Sequence, residues 1–173
     1  IEHAWTTSWG LSTRSIGGLI MTHGDDDGLK VPPKIASIQL VIIPFLKGDN
    51  DGAIIDYCEI LKKNLKSAGM RAHVDEREMR AGDKTWDWVK KGVPIRVEVG
   101  GREMDTGQVT VTRRDLRKES KTTMSVDEFI AQAQGILDDI QANLYETAKK
   151  SVMDRIHDMD GIDAARTFFA DEG

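Results

Sequence analysis

The sequence predicts an α/β fold in which a mixed β-sheet is flanked by helices. Residues 38–43 form an apolar run rich in β-branched side chains, which is typical of a strand buried on both faces. A helical pattern follows this run, and two later segments, 95–99 and 108–113, alternate apolar and polar residues as strands with one polar face do. A strand buried on both faces requires helices to cover the sheet.

The remaining elements follow in order along the chain. Apolar residues recur at helical spacing over 54–68, and Gly69 can supply the left-handed conformation that closes a helix. Residues 70–74 are predicted as a second strand, and 83–91 as a short helix that stops at Gly92. We therefore expect four strands in one sheet, with the first of these helices packed on it.

The last helix has the clearest signature. Ser125 and Glu128 form a capping box, and an apolar stripe at helical spacing extends from Val126 to Ile156. Further on, the aromatic residues at 168–169 are of the buried type and have almost no sequence after them, so we expect that a domain has been cut there.

The charge of the chain is unevenly distributed. The 173 residues are 39% hydrophobic and 31% charged, which allows one globular domain plus an appendage. Residues 1–121 carry 20 Lys and Arg against 18 Asp and Glu, whereas 122–173 carry 4 against 11. Within 113–121 five bases accompany two acids, a cluster that suits contact with phosphate but also describes an ordinary solvated edge.

Several functional classes are disfavoured by composition. No run of about 18 apolar residues is present, and the first residues lack the features of a signal peptide, so the expected location is the cytosol. The single cysteine, Cys58, cannot form an internal disulfide, and the four histidines show no ligand spacing. The acids at 25–27 are interpreted as a turn, and we expect no metal site in this chain.

Small residues and one arginine precede an apolar, helix-like segment near the start of the chain. Residues 6–13 are predicted to form a strand in which Gly10 lets a ligand approach the backbone, with Arg14 at the following helix. An arginine placed there can stack on a purine and neutralise phosphate oxygens. The alternative is a strand–turn–helix in which Arg14 pairs with an acid. Downstream, Pro32 and Pro33 stop regular structure and mark a boundary.

These motifs resemble those of class II prolyl-tRNA synthetases of the archaeal and eukaryotic-like type. The resemblance spans residues 5–157 and is carried by SWGLSTR at 8–14, HGD at 23–25, GLKVPPK at 28–34, KGVPIRVEVG at 91–100, GQ at 107–108 and RRD at 113–115. It implies a catalytic-core remnant with motif 3 at 1–33, an anticodon-binding domain with a mixed five-stranded sheet at 34–121, and the truncated start of a further helical domain at 122–173.

The resemblance assigns the N-terminal motif to the catalytic site. It implies that Arg14 lies against the adenine of ATP with Ser12 close by, and that Ser8, Trp9 and Gly10 help to form the proline pocket. ATP with Mg²⁺ activates proline to prolyl-adenylate, which tRNA(Pro) then attacks, and Arg14 acts electrostatically because it stays protonated. The complete enzyme is expected to be a homodimer. Motifs 1 and 2 lie outside this chain, which alone should not catalyse.

The resemblance also assigns anticodon reading. Proline anticodons share two guanines, which arginine or lysine combined with an acid can recognise. Arg96 and Lys118 are implied as base contacts, with Arg114 on the same polar side by strand parity. The acid that the family carries after Trp88 is Val89 here.

Three questions remain open from the sequence. Asp87 or Glu98 could replace the missing acid, although Glu98 could equally pair with a neighbouring strand. Of the two tryptophans, Trp86 and Trp88, one is expected in the core. The alternative function is a free-standing tRNA-binding or regulatory module, or a structural domain without nucleic-acid contacts, but residues 5–33 favour the synthetase.

Overall fold

The chain forms six helices and five strands within residues 3–48, 50–116 and 120–171, which the computed structural model describes. The strands are β1 (Leu40–Pro44), β2 (Ala72–Val74), β3 (Ile95–Val99), β4 (Gln108–Arg113) and β5 (Thr122–Ser125). The helices are α1 (Arg14–His23), α2 (Asp51–Ser67), α3 (Ala81–Lys91), α4 (Gly101–Thr106), α5 (Val126–Met153) and α6 (Ile162–Asp171).

All five strands belong to one mixed sheet, in the order β2-β1-β3-β4-β5. β1 pairs in parallel with both β2 and β3, whereas β3–β4 and β4–β5 are antiparallel. The predicted mixed five-stranded sheet is confirmed, and so is the placement of its first four strands. The fifth strand was not located from sequence, because residues 122–125 are few and mostly small and polar.

The two faces of the sheet are covered differently. On one face, side chains from alternate strand positions pack with α2 and the first half of α5 into the larger core. On the other face, Val41 and Ile43 of β1 pack with Trp88 of α3 and with Val93. Beside α3 on this second face, β3 and β4 present polar side chains at paired positions, namely Arg96 opposite Thr112 and Glu98 opposite Thr110.

The long helix α5 belongs to the same core as the sheet. Ser125 accepts a hydrogen bond from the Glu128 backbone N–H at 3.3 Å, which confirms the predicted N-terminal cap. Within the predicted stripe the buried positions run from Phe129 to Leu144, whereas Val152 is exposed and Ile156 is exposed and lies beyond the end of α5, so the stripe ends earlier than predicted. The expected boundary after residue 121 falls directly before β5, which pairs with β4, so the ranges on either side of it share one hydrophobic core.

The N-terminal segment is extended and exposed. α1 begins at Arg14 as predicted, but the strand expected at 6–13 is wrong, because residues 3–12 form neither helix nor strand. A strand needs a neighbour to accept its backbone hydrogen bonds, and the described residues supply none at this position. Trp5 and Trp9 are 101% and 95% exposed.

Residues 25–31 dock on the C-terminal end of α3. The Leu29 N–H donates to the Lys90 carbonyl at 3.1 Å, and the Val31 N–H donates to the Gly92 carbonyl at 2.9 Å. Two glycines permit this approach. A Cβ on Gly28, where φ is +134°, would lie 2.6 Å from Lys90 Cα, and a Cβ on Gly92, where φ is +73°, would collide with the Leu29 backbone.

We expect Gly92→Ala to destabilise the protein by roughly 1 to 3 kcal/mol, because the added Cβ meets the Leu29 backbone and the left-handed conformation disfavours alanine. The measurement is the free energy of unfolding in urea. Gly135→Ala is the matched control, since Gly135 lies within α5 with nothing near its Cβ position, and it should raise stability by up to about 1 kcal/mol. Equal changes for the two variants would contradict the proposed close contact.

Candidate nucleic-acid interface

A cavity of about 250 Å³ lies where the polar face of β3 and β4 meets α3 and the docked N-terminal segment. Its wall includes Trp86 from α3, Arg96 and Glu98 from β3, Arg114 after β4, and Asp27. The volume lies below the roughly 300 to 1,000 Å³ of typical small-molecule sites, so it suits one planar ring system better than a whole cofactor.

Arg96 is a buried basic residue in the wall of this cavity. The residue is 5% exposed, and its Nε has no hydrogen-bond partner among the described residues. Burial and the nearby charge of Arg114 lower the pKa of Arg96, while Glu98 acts in the opposite direction. An arginine nevertheless stays protonated in proteins, so the cavity holds a buried donor that an incoming acceptor can satisfy.

Arg114 has the opposite character, because each guanidinium nitrogen has a partner. It donates from Nη1 and Nη2 to the two carboxylate oxygens of Asp25 at 3.0 and 2.6 Å, which is a bidentate pair. Nη2 also donates to the Gly28 carbonyl at 3.1 Å, and Nε donates to the Val89 carbonyl at 3.1 Å. One side chain therefore joins the N-terminal segment, α3 and the end of β4.

Asp25 is held as a carboxylate by this contact. The hydrogen bond from Arg114 is the main reason why the pKa of Asp25 lies well below its usual range, and Lys30, whose Nζ is 3.1 Å from Asp25 Oδ2, adds to the effect. Backbone hydrogen bonds between Asp25 and Gly28 close the turn predicted at 25–27.

Glu98 also lies in the cavity wall, where it is paired. Lys121 Nζ donates to Glu98 Oε2 at 2.7 Å, and the Lys121 side chain is 56% exposed against 15% for Glu98. Glu98 is therefore paired in the free protein, but Lys121 directly precedes β5, which β4 separates from β3, and not a strand next to β3 as predicted. An exposed lysine can exchange this contact for water at low cost, which leaves the Glu98 carboxylate available to another donor.

The two tryptophans have separate roles. Trp88 is buried in the smaller core and donates from Nε1 to Asp75 Oδ2 at 2.7 Å, which confirms that one of the pair is a core residue. Trp86 is 45% exposed and lines the cavity, with Lys90 Nζ 6.0 Å from its ring centre. An exposed indole beside a cavity is a platform on which an unpaired base can stack.

A buried carboxylate fixes the helix that carries Trp86. Asp75 is 1% exposed and accepts from Trp88 and from Arg77, while Lys84 donates to its backbone carbonyl at 3.0 Å. Burial acts to raise the pKa of Asp75, but the hydrogen bonds outweigh it and hold the pKa well below the ordinary value. These contacts attach α3 to the end of β2.

Asp87, predicted as an anticodon contact, is occupied elsewhere. Its Oδ2 accepts from Arg77 Nη1 at 2.9 Å and from Lys91 Nζ at 2.8 Å, and it is absent from the cavity wall. Arg96, Glu98 and Arg114 are brought together, whereas Asp87 is not. Lys118 lies outside the described residues.

The described bases of the cluster at 113–121 are paired with acids of the same chain. Arg113 pairs with Asp115, which also accepts from Asn143 of α5 at 2.7 Å. Arg114 pairs with Asp25, and Lys121 pairs with Glu98. Each described base of this cluster thus has an acidic partner. A count of the charges within 113–121 does not reveal this pairing, because two of the partners lie elsewhere in the sequence.

The residues predicted to contact ATP and proline lie together on one exposed segment. Ser8, Trp9, Gly10 and Ser12 precede α1, and Arg14 is its first residue. All five are exposed, so a ligand held by them would need a second wall from elsewhere. The described residues include no group of three or more histidine, cysteine or acidic side chains placed to hold a metal ion.

Comparison with known proteins identifies the domain that carries the cavity. The family described as "Anticodon binding domain" matches residues 39–136, which include the whole sheet and the first part of α5. The chain belongs to this family. Arg96, Glu98 and Trp86 thus lie in an anticodon-binding domain, whereas Asp25 and Asp27, which close the cavity, precede the matched range.

The similarity extends beyond this domain. The chain is 47% identical to the proline–tRNA ligase of Bdellovibrio bacteriovorus over 86% of its length, and 50% identical to that of Sphingopyxis alaskensis over 84%. It is 44% identical to the enzyme of Sphingomonas elodea over 98% of its length. The chain spans about a third of the length of these relatives. No helix among the described residues is long and apolar enough to cross a membrane.

We expect Asp25→Asn to lower the free energy of unfolding at pH 7 by on the order of 3 kcal/mol, because it leaves the buried guanidinium of Arg114 without a charged partner. The folded-state pKa of Asp25 lies below its unfolded value of about 3.9, so the pair stabilises the fold above that pH. This contribution is lost progressively as the pH falls from about 4 towards the depressed folded-state pKa, so the difference between parent and variant should narrow over that range.

Urea unfolding of both proteins at pH 7 and at pH 3 measures this narrowing of the stability difference. Asp26→Asn is the matched control, because it removes the same charge from an exposed neighbour in the same turn, and it should leave stability nearly unchanged. A stability difference between the parent and Asp25→Asn that persisted unchanged at pH 3 would assign the effect to packing and not to charge.

Proposed function

We propose that this chain is the part of a proline–tRNA ligase that reads the anticodon and contributes one side of the ATP and proline pocket. The observation that carries the proposal is the buried guanidinium of Arg96, whose Nε lacks a partner, in a cavity flanked by an exposed indole within an anticodon-binding domain. The similarity to proline–tRNA ligases over most of the chain is the reason for proposing proline as the amino acid.

Arg96 is proposed to recognise guanine. Guanine offers two acceptors, N7 and O6, on one edge, which match the parallel donors of a guanidinium. Trp86 beside the cavity supports the base through stacking. Because Arg96 is buried, an unsuitable base would leave its donors unsatisfied, and this cost would be the source of discrimination.

Glu98 is proposed as the acid that the family carries next to Trp88 and that is Val89 in this chain. Glu98 lies two residues from Arg96 on the same face of β3 and reaches the same cavity, whereas Asp87 is bound by Arg77 and Lys91. Its carboxylate can accept from the N1–H and the amino group of guanine once Lys121 releases it. Lys118 is proposed, by family resemblance alone, for the second guanine.

The proposed reaction has two steps, in which ATP activates the proline carboxylate to prolyl-adenylate and the terminal ribose of tRNA(Pro) then accepts the prolyl group. Arg14 would bind the adenine face and offset phosphate charge, Ser12 would lie beside the adenosine, and Ser8, Trp9 and Gly10 would contact proline. ATP and Mg²⁺ would be bound mainly by groups outside this chain. The exposure of these five residues is consistent with a pocket completed by the remainder of a ligase.

The complete ligase is proposed to be a cytoplasmic homodimer. A free-standing RNA-binding module is less well supported, because the similarity to the ligases covers up to 98% of the chain and therefore includes residues before the anticodon-binding domain at 39–136. Such a module would not need an N-terminal segment that carries Trp9 and Arg14 into solvent.

We expect Arg96→Ala to reduce the preference for guanine at one anticodon position about ten- to a hundredfold, because a bidentate contact to guanine contributes roughly 1 to 3 kcal/mol of discrimination. The measurement is kcat/KM for aminoacylation by the full-length ligase, using proline tRNAs with each anticodon guanine replaced in turn. Proline-dependent ATP–pyrophosphate exchange should be unchanged. Arg155→Ala removes an exposed arginine after α5 and serves as the matched control.

An equal fall in kcat/KM for all these tRNAs would instead assign Arg96 to phosphate contact or to structure. Arg96→Lys separates charge from geometry, because lysine keeps the charge but cannot make the paired contact.

We expect Arg14→Ala in the full-length ligase to impair ATP–pyrophosphate exchange while leaving tRNA binding nearly intact, since Arg14 lies on the exposed α1 and not in the cavity. Filter binding of tRNA and the exchange rate are measured on the same preparation. Equal exchange rates in parent and variant would remove Arg14 from the catalytic assignment.

A further inference from the structure

The cavity is built across a junction between two parts of the chain. Trp86, Arg96 and Glu98 belong to the domain that follows residue 39, whereas Asp27 reaches the cavity from the segment that leads out of α1. The shape of the cavity therefore depends on how this segment is docked.

Arg114 controls that docking. Its side chain is 2% exposed and spans from the Val89 carbonyl, in the cavity wall, to Asp25 and the Gly28 carbonyl in the docked segment. The contact is rigid because a bidentate guanidinium–carboxylate pair fixes both distance and orientation. Docking also needs the backbone hydrogen bonds of Leu29 and Val31 to the end of α3.

The charge balance of the cavity depends on the same pair. Arg96 and Arg114 both line the cavity, and Asp25 neutralises Arg114. Without Asp25, the two guanidinium groups would share one small volume with only Asp27 and Glu98, and Glu98 is already paired with Lys121. By pairing with Arg114, Asp25 offsets its charge in the cavity wall. The donors of Arg96 then remain for a ligand.

The docked segment is directly continuous with the first helix. α1 ends at His23, the Gly24 N–H donates to the Ile20 carbonyl at 2.8 Å, and Asp25 follows at once. The position of Asp25 thus restrains the C-terminal end of the helix whose first residue is Arg14.

We propose that the Asp25–Arg114 pair is a positioning contact that couples RNA binding in the cavity to the docking of residues 25–31, and thereby to the placement of α1. The coupling rests on the proposed function, because it requires RNA to occupy the cavity. RNA that fills the cavity stabilises the docked segment, and the docked segment strengthens RNA binding by the same factor. Asp25 and Arg114 act through the wall and through Arg96 without needing to touch the base.

Hydrogen exchange at the Leu29 and Val31 amides measures docking directly, since their acceptors lie on the end of α3. The experiment compares exchange in the 173-residue chain with and without a saturating RNA hairpin that carries a proline anticodon loop. In the parent and in Asp26→Asn, RNA should slow exchange at both amides by about 5- to 150-fold, the usual range of such coupling. In Asp25→Asn this ratio should fall towards one, and RNA affinity should fall by the same factor.

The ratio distinguishes coupling from a merely structural role. A structural pair would raise exchange in the free and RNA-bound states alike and leave the ratio unchanged, which would overturn the inference. Arg114→Lys provides a second test if Asp25→Asn folds poorly, because it keeps the charge and loses the bidentate geometry, and its ratio should be intermediate. Tight RNA binding by the parent without slower exchange would overturn the coupling and leave anticodon reading intact. No RNA binding by the parent would overturn both.

Discussion

The structure depends most on one buried ion pair between residues 89 positions apart, Arg114 and Asp25. A guanidinium that is 2% exposed is tolerated only where its donors are satisfied, and here a carboxylate and two backbone carbonyls satisfy them. The pair brings the N-terminal segment against a domain whose sheet is otherwise complete without it. Gly28 and Gly92 make this close contact sterically possible, because a side chain at either position would hold the two backbones apart.

A second constraint acts on α3 from the opposite end. Asp75, at the end of β2, holds Trp88 and Arg77, so the helix cannot rotate about its axis without breaking buried hydrogen bonds. Trp86 is thereby kept at the mouth of the cavity. Asp75, Asp87 and Arg114 near the cavity are paired within the protein in this way, and we propose Arg96 for function because its Nε lacks such a partner among the described residues.

The fold was largely predictable from sequence, whereas the cavity was only partly so. Hydrophobic periodicity located four strands and the main helices, because burial imposes a period on the sequence. β5 is an edge strand of four residues and carries no comparable signal.

Strand parity placed Arg96 and Arg114 on one side of the sheet but could not show which of them is already paired. Asp25 lies too far away in sequence for its contact with Arg114 to be inferred. Val89 marked the position of the missing acid, and the contacts of Asp87 with Arg77 and Lys91 are the reason why we propose Glu98 as its replacement. The segment at 6–13 failed as a strand because periodicity does not reveal whether a pairing partner exists.

The length of α5 has a mechanical consequence. The helix continues for nine residues past Leu144, its last buried position, which extends it roughly 13 Å beyond the core at 1.5 Å per residue. Residues after α5 pack against one another, and the ring centres of His157 and Phe168 lie 4.9 Å apart. α5 is therefore a rigid extension of the core. A segment attached to its C-terminal end would move together with the sheet.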